Sequence, residues 1–155
     1  MSQSGGREFE VATGDQARET TELFNAFHDG FIRRLTILSH DVFEDIASHR
    51  VTGPLDLEIE FAHYNYNWGE PPAERRIQAR FTGVRNLLIA FTGSEPDWPI
   101  TNFEMDEVDG GGSCEARLLQ PRYADGEWSH AEAMSFSFES SVFRELPDDP
   151  TTLAP

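Results

Sequence analysis

Residues 55–67 read LDLEIEFAHYNYN, and this stretch decides the fold class. In its first half, apolar residues alternate with acidic ones. The apolar set is Leu55, Leu57, Ile59 and Phe61, and the acidic set is Asp56, Glu58 and Glu60. Because successive side chains of a strand point to opposite faces, a period of two predicts a half-buried β-strand. The same alternation carries His63 and Asn65 onto the apolar side.

The segment RIQARFTGV at 76–84 alternates in the same way, with arginines on its polar face. An acidic face beside an arginine face is typical of two strands that pair as an antiparallel hairpin. We therefore expect Glu58 and Glu60 to pair with Arg76 and Arg80. Exposed ion pairs add only about 0 to 1 kcal/mol each, so they support the register more than the stability.

Further stretches carry the β-branched, aromatic or alternating residues of strands. They are 31–43, 86–93, 98–108 and 114–143. The stretch 41–50 is predicted to be a second strand after a tight connection, with a short helix as the alternative. The stretch 114–143 predicts a hairpin, because Asp125 and Gly126 are a favoured pair for a type I′ turn. Pro121 lies in the first arm of that hairpin and indicates an edge or a bulge, since proline donates no backbone hydrogen bond.

One short helix is predicted within residues 14–27, with Thr13 or Asp15 as its N-cap. No helical segments lie between the strands, as a parallel sheet would need. The chain is therefore predicted to be mainly β, an antiparallel sandwich or partly closed barrel of about seven or eight strands with one N-terminal helix.

The length of 155 residues suits a single domain. Residues 1–14 are rich in glycine, serine and acidic residues without periodicity, and residues 147–155 combine proline with acidic residues and threonine. We predict flexible tails over these two ranges and one β-rich domain over residues 15–146.

The charge is strongly acidic, with 28 acidic residues, 12 basic residues and a net charge of -16. Every basic residue is arginine. Such a field repels phosphate backbones and anionic lipids, which argues against binding to nucleic acids or membranes and favours a protein partner with a basic surface. No apolar run is long enough to span a membrane and the N-terminus does not resemble a signal peptide, so we expect a cytoplasmic protein.

Residues able to do chemistry are few and scattered. Cys114 is the single cysteine, and we interpret it as a small structural residue. The pairs His28–Asp29 and His40–Asp41, with His63, offer the ligand types of a zinc or iron site. A strand of about ten residues spans roughly 33 Å, however, and would hold the two pairs apart. We therefore predict no metal, no cofactor and no catalytic residues.

The segment AHYNYNWGEPP at 62–72 is the candidate binding site. Tyrosine, tryptophan and asparagine combine large contact areas with polar groups, as recognition surfaces do. The predicted binding residues are His63, Tyr64, Asn65, Tyr66 and Trp68. In the alternative interpretation the two tyrosines cover a sheet face and Trp68 plugs one end of the sandwich. Trp98 and Trp128, beside turns, are predicted to close the core.

The stretch FHDGFIRRLTI at 27–37, followed by the strands described above, resembles a loosely defined group of small bacterial proteins. In that group a Phe-His-Asp-Gly or Phe-His-Asp-Ser turn opens the first strand. Some of its members are thought to be immunity partners of toxins, and the resemblance implies neutralisation by surface occlusion. His28 and Asp29 match the motif as turn residues only.

The leading hypothesis is a non-enzymatic binding protein, of an immunity or assembly type, whose acidic surface engages a basic partner. One alternative is an enzyme or small-ligand carrier with a β-barrel pocket near His63. Another is a structural subunit of a larger assembly, joined through an exposed strand near Pro121. The sequence does not define the oligomeric state.

Overall fold

The computed structural model describes residues 7–43, 49–50, 53–64, 74–90, 98–100, 102–108 and 112–147. These residues form one α-helix, one 3-10 turn and a series of strands. The helix α1 is Gly14–Leu23 and the 3-10 turn is Asn25–Phe27. The strands are β1 (Glu8–Val11), β2 (Phe31–Ser39), β3 (Val42–Phe43), β4 (His49–Arg50), β5 (Leu55–Tyr64), β6 (Glu74–Ile89), β7 (Trp98–Pro99), β8 (Asn102–Glu107), β9 (Cys114–Ala124), β10 (Glu127–Phe138) and β11 (Ser140–Leu146).

Nine of these strands form one curled antiparallel sheet, a half-barrel. Its main path runs β7-β2-β5-β6-β10-β9-β8, and β11 and β1 extend it from a second part of β6. The strands β3 and β4 pair separately, which confirms the strand prediction at the two ends of 41–50; residues 44–48 lie outside the described part. The predicted class, mainly β with a partly closed antiparallel barrel and one N-terminal helix, is confirmed.

Strand β6 is a single strand of 16 residues, although the sequence predicted two. Its first part pairs with β11 as far as Thr82, and its last part pairs with β10 from Arg85 onwards. Gly83, between the two parts, has a φ of +64°, and Asn86, at the start of the last part, has a φ of +55°. These left-handed residues bend the strand without ending it, and the bend lets one strand serve two halves of the curled sheet.

The predicted pairing of the acidic face with the arginine face is confirmed on β5 and β6. Arg76 Nε lies 2.8 Å from Glu60 Oε1, and Arg80 Nη2 lies 3.2 Å from Asp56 Oδ2. Glu58, however, accepts a hydrogen bond of 2.8 Å from Gln78 Nε2 and not from an arginine. These contacts run along diagonals of the register, since Glu58 lies opposite Arg80 but bonds Gln78, and Glu60 lies opposite Gln78 but pairs with Arg76.

Helix α1 closes the open side of the curled sheet. Thr13 caps it by accepting a hydrogen bond from Gln16 N at 3.2 Å, as predicted. Thr21 Oγ1 accepts a hydrogen bond from the backbone N–H of Met105 in β8, also at 3.2 Å. Because α1 also contacts β1, it joins β1 and β8, two of the three strands that end the sheet.

The core between the sheet and α1 is largely aromatic. The inward faces of β5 and β6 contribute Ile59 and Phe81, which are completely buried. The turn after α1 is left-handed, with φ of 50 to 52° at residues 25–27, and it places the Phe27 ring in the core. That ring stacks on Phe61 with a centroid distance of 4.2 Å. Left-handed backbone at non-glycine residues costs energy, which the burial of Phe27 offsets.

The predicted N-terminal tail is wrong for residues 8–11, because they form β1 and pair with β11 from Glu8 opposite Arg144 to Val11 opposite Ser141. Phe9 holds this strand to the core, with its ring 5.6 Å from that of Phe24. A strand of four residues has too few positions to show a period, and its partner lies at the far end of the sequence. Beyond Pro147, the predicted C-terminal tail lies outside the described residues.

Candidate functional site

His63 lies inside the protein, on the apolar side of β5 as the alternation predicted. The residue is only 2% exposed, and its ring meets the Phe27 ring edge-on at a centroid distance of 5.2 Å. Burial lowers the pKa of His63 from 6.5 to about 4, because a charged imidazolium loses its hydration there; nearby Asp29 acts to raise the pKa and His28 to lower it. At neutral pH the imidazole is therefore uncharged.

The turn before β2 packs directly against His63. The backbone N–H of Gly30 donates to Phe27 O at 2.9 Å, and that of Asp29 donates to Ile100 O at 3.1 Å. A Cβ atom on Gly30 would lie 2.9 Å from Ala62 O, so only glycine allows this close approach of two backbones. The Phe-His-Asp-Gly stretch is thus a turn, with His28 and Asp29 exposed on its outer side.

The described residues include little of the rest of the predicted binding segment. Tyr64 ends β5 with its backbone opposite Glu74, and its side chain lies outside the described part. Asn65, Tyr66 and Trp68 also lie outside it. The recognition role predicted for this segment therefore stays a prediction.

The two His-Asp pairs lie at opposite ends of β2, as the length of the strand predicted. His28 Nε2 is 3.5 Å from Asp29 Oδ2 before the strand. After the strand, His40 Nε2 is 3.2 Å from Asp56 Oδ2 of β5, a partner that the predicted pair His40–Asp41 did not include. Within the described residues, no group of three or more histidine, cysteine, aspartate or glutamate side chains has an arrangement that could hold a metal ion.

Cys114 begins β9 and is 1% exposed. Burial raises the pKa of its thiol, and the carboxylates of Glu107 and Asp106 raise it further. A thiol with a raised pKa is a poor nucleophile, because the thiolate is the reactive form. The structure thus places Cys114 in the core, and its interpretation as a structural residue stays a prediction.

Two acid-lined depressions flank α1, and together we call them the acidic helix face. The first is a groove of about 450 Å³ between β1 and α1. It is lined by Glu8, Phe9, Glu10, Gln16, Glu19, Thr20 and Leu23. Apolar side chains thus share the groove with three carboxylates.

The second depression, of about 470 Å³, lies where α1 meets β8 and β9. It is lined by Thr21, Ala26, Glu104, Met105, Asp106, Glu107, Glu115 and Arg117. The strand register places Asp106 directly opposite Glu115, so two like charges face each other on neighbouring strands. Such a pair is destabilising, and Arg18 of α1, whose Nη1 lies 3.4 Å from Asp106 Oδ1, offsets part of the repulsion. Arg117 offsets part of this charge, with Nη2 3.4 Å from Glu104 Oε2.

A third feature is the projecting end of the β9–β10 hairpin, residues 121–132, which we call the arm. Pairing of β8 with β9 ends at Leu119, and pairing of β6 with β10 ends at Met134. The turn at Asp125 and Gly126 has positive φ at both positions, as predicted for the type I′ pair. Trp128, opposite Tyr123 in the register, is 73% exposed. The prediction that Trp128 closes the core is therefore wrong, because the arm extends past the strands that would cover it.

These surfaces could not be found from the sequence. The acidic residues of β8 and β9 are visible as single residues in 102–107 and 114–117, but only the register brings Asp106 opposite Glu115. The groove beside β1 lies in the range predicted to be a tail. For the arm, Pro121 was a partial indication, because it predicted a strand edge. In the structure, the pairing of β8 with β9 ends at Leu119, just before Pro121.

The fold and these surfaces define a class: an acidic, curled antiparallel half-barrel closed by one helix, with carboxylates concentrated on both sides of that helix. The helix described is too short and too polar to cross a membrane. No family model matches the chain, and no curated protein or solved structure matches it either. The resemblance of the 27–37 stretch to immunity-type proteins therefore stays a prediction.

Proposed function

We propose that this chain is a non-enzymatic protein-binding module that engages a basic partner through the acidic helix face. The observation that carries the proposal is the pair of depressions beside α1, of which one is lined by three carboxylates and the other by four. Two arginines offset part of the charge of the second depression: Arg117 lines it, and Arg18 pairs with its Asp106. Concave surfaces of this charge suit arginine and lysine side chains.

The opposed pair Asp106 and Glu115 supports a partner in particular. Two exposed carboxylates facing each other across strands raise the energy of the free protein, although Arg18, with Nη1 3.4 Å from Asp106 Oδ1, already offsets part of this energy. A further cationic side chain placed between them reduces the repulsion that remains and adds a favourable contact with each carboxylate. The bound state therefore gains more from a basic group here than from one at an isolated carboxylate.

The net charge of -16 supports fast association. A field of this sign attracts a basic protein over distances up to the Debye length, about 8 Å at physiological salt, and raises the rate of productive encounters. The aromatic residues that follow the buried His63, from Tyr64 to Trp68, are a second contact in this proposal, on the strength of their composition alone. An immunity or assembly role would use the same surface, by covering the partner.

The chemistry of the buried titratable groups favours a binding role over catalysis. In the described part of the chain, His63 and Cys114 are the groups whose pKa is clearly shifted, and burial is the main cause for both. Each shift favours the uncharged form, and neither residue lines the depressions beside α1. These shifts fit packed core residues.

The test begins with capture of the partner from the native cell by affinity purification and mass spectrometry. Association rates are then measured by stopped flow at low and high ionic strength. The double variant Asp106→Asn/Glu115→Gln should slow association at low salt by about several-fold, because it removes the opposed carboxylates. The matched control, Glu127→Gln/Glu132→Gln, changes the net charge equally on the arm and should have a smaller effect.

Two results would count against this function. One is an association rate that does not change between low and high ionic strength. The other is an equal loss of association rate in the two double variants. That result would show that the net charge alone, and not the acidic helix face, speeds association.

A second candidate function, a structural subunit of an assembly, is favoured by the arm. A two-stranded ribbon is marginally stable alone, and an exposed tryptophan on it is suited to insertion into another protein. Light scattering coupled to size exclusion would detect the assembly, and Trp128→Ala should dissociate it. A chain that remains monomeric with and without its partner would exclude this role.

A further inference from the structure

Strand β1 is an edge strand with its free side toward the groove. It pairs with β11 on one side, and in the described part of the chain no strand pairs with it on the other. The groove is lined by three consecutive β1 residues, from Glu8 to Glu10, together with residues of α1. Because successive side chains point to opposite faces, a depression touching all three lies along the strand edge and not over one face.

The register shows which backbone groups point into this groove. The N–H of Glu145 donates to Arg7 O at 3.0 Å, which makes residues 7 and 145 a hydrogen-bonded pair. In an antiparallel ladder such pairs alternate, so the amides of Phe9 and Val11 also face β11. The N–H and C=O groups of Glu8 and Glu10 therefore point away from β11, toward the groove.

The side chains around these backbone groups determine which kind of strand could pair with β1 in the groove. Phe9 and Leu23 are half-buried and give the groove an apolar part. Glu8, Glu10 and Glu19 give it a rim of carboxylates, of which Glu8 also pairs with Arg144 of β11, with 3.3 Å between Nη2 and Oε2. A strand laid beside β1 would alternate between these two environments, because its own side chains alternate between faces.

We propose that the groove takes an extended, cationic segment of the partner protein, which adds to β1 as a further antiparallel or parallel strand. Backbone hydrogen bonds to Glu8 and Glu10 supply the affinity common to all strand addition, and side chains supply the selection. Apolar residues of the segment face Phe9 and Leu23, and its arginine or lysine residues face the rim.

A second copy of this chain does not fit the groove. Pairing β1 with β1 would bring Glu8 and Glu10 of each copy against those of the other, and each chain has a net charge of -16. Like charges opposite each other on paired strands are destabilising. The edge thus discriminates against self-association while it remains open to a basic strand.

This inference rests on the proposed function, because it names how the same acidic helix face would hold a basic partner. The probe is a short synthetic peptide of alternating arginine and valine with blocked ends. Amide hydrogen exchange of the labelled protein is followed by NMR with and without the peptide. Exchange at the Glu8 and Glu10 amides should slow by at least about tenfold, while exchange at Phe9, already bonded to β11, should change less.

Two variants at one position separate the backbone from the charge. Glu10→Ala and Glu10→Pro both remove the carboxylate, but only proline removes the N–H that faces the groove. Pairing with β11 is kept in both, since that N–H does not take part in it. The peptide should bind Glu10→Ala more weakly than wild type and should not bind Glu10→Pro.

A peptide N-methylated at alternate residues serves as a control that leaves the protein unchanged. Circular dichroism would show whether Glu10→Pro folds. If it does not, N-methylation of the peptide residues that face β1 tests the backbone hydrogen bonds instead, and it should abolish binding. A charge-matched peptide of arginine and valine with a proline at its centre should also fail to bind, because it cannot form a continuous strand.

The outcomes separate this inference from the proposed function. If the peptide binds and its binding weakens with salt, but the Glu8 and Glu10 amides are not protected, strand addition is overturned and a basic partner for the acidic helix face survives. If the peptide does not bind at all, the inference is overturned as well. If the amides are protected while Asp106→Asn/Glu115→Gln leaves association with the captured partner unchanged, the strand site stands and the proposed role of the second depression does not.

Discussion

Acidification should destabilise this protein through His63 by an amount that can be isolated from all other titrations. The pKa of this residue is about 4 in the folded protein and 6.5 as the ordinary value, which the unfolded chain approaches. Between these two values the unfolded chain binds a proton that the folded protein does not. The free energy of unfolding therefore falls as the pH is lowered from 6.5 to 4, and the contribution is fully present above 6.5.

The magnitude follows from the two pKa values. One pKa unit corresponds to about 1.36 kcal/mol, so the contribution lost between pH 7 and pH 4 is about 3 kcal/mol. This is a large share of the stability of a typical domain, about 5 to 15 kcal/mol. The cause is the 2% exposure of the residue, since a buried imidazolium beside the Phe27 ring would lose its hydration.

The assay is urea unfolding at a series of pH values for wild type and His63→Gln. Carboxylates titrate in both proteins and cancel in the difference, as does the constant effect of the substitution on packing. The stability of wild type relative to His63→Gln should fall by about 3 kcal/mol on going from pH 7 to pH 4. The control His130→Gln removes an exposed histidine and should follow the wild-type curve. A difference between wild type and His63→Gln that stays constant over this pH range would refute the reasoning.

Three further predictions concern the sheet, and unfolding free energies at neutral pH test each of them. Gly83→Ala should lower the free energy of unfolding by about 1 to 3 kcal/mol because of the φ of +64° at this position. A second substitution, Glu139→Ala, removes the side chain that the new Cβ would contact, and it should not restore the loss if backbone strain is the cause. Ser141→Ala should stabilise by about 1 kcal/mol, since its buried hydroxyl has no hydrogen-bond partner among the described residues; a loss of stability would mean that the hydroxyl is satisfied. A double-mutant cycle on Glu60 and Arg76 should give a coupling free energy of about 1 kcal/mol, because the two side chains are only 12% and 26% exposed. A coupling of zero would show that the 2.8 Å pair contributes nothing to stability.

Local patterns were enough for the features that depend on neighbours in the sequence. The alternation in 55–61 predicted which face of β5 is buried, because the period of a strand is a property of the backbone itself. The Asp125–Gly126 turn and the Thr13 cap were predicted for the same reason, since a left-handed turn and an orphan helix N–H each require particular residue types. The matching of an acidic face with an arginine face also required only two adjacent segments.

The remaining features depend on contacts between distant parts of the chain, so only the tertiary structure decided them. Residues 8–11 become a strand because β11, more than 130 residues away, provides its hydrogen bonds. The burial of His63 depends on the left-handed turn that brings Phe27 over the end of β5, and the exposure of Trp128 depends on where β8 and β6 stop pairing. The acidity of the chain was evident from composition, whereas its concentration beside α1 follows from the register of β8 with β9 and from the closure of the sheet by that helix. Composition and hydrophobic period are properties of the sequence itself. The register of the strands and the closure of the sheet by α1 depend instead on packing across the curled sheet.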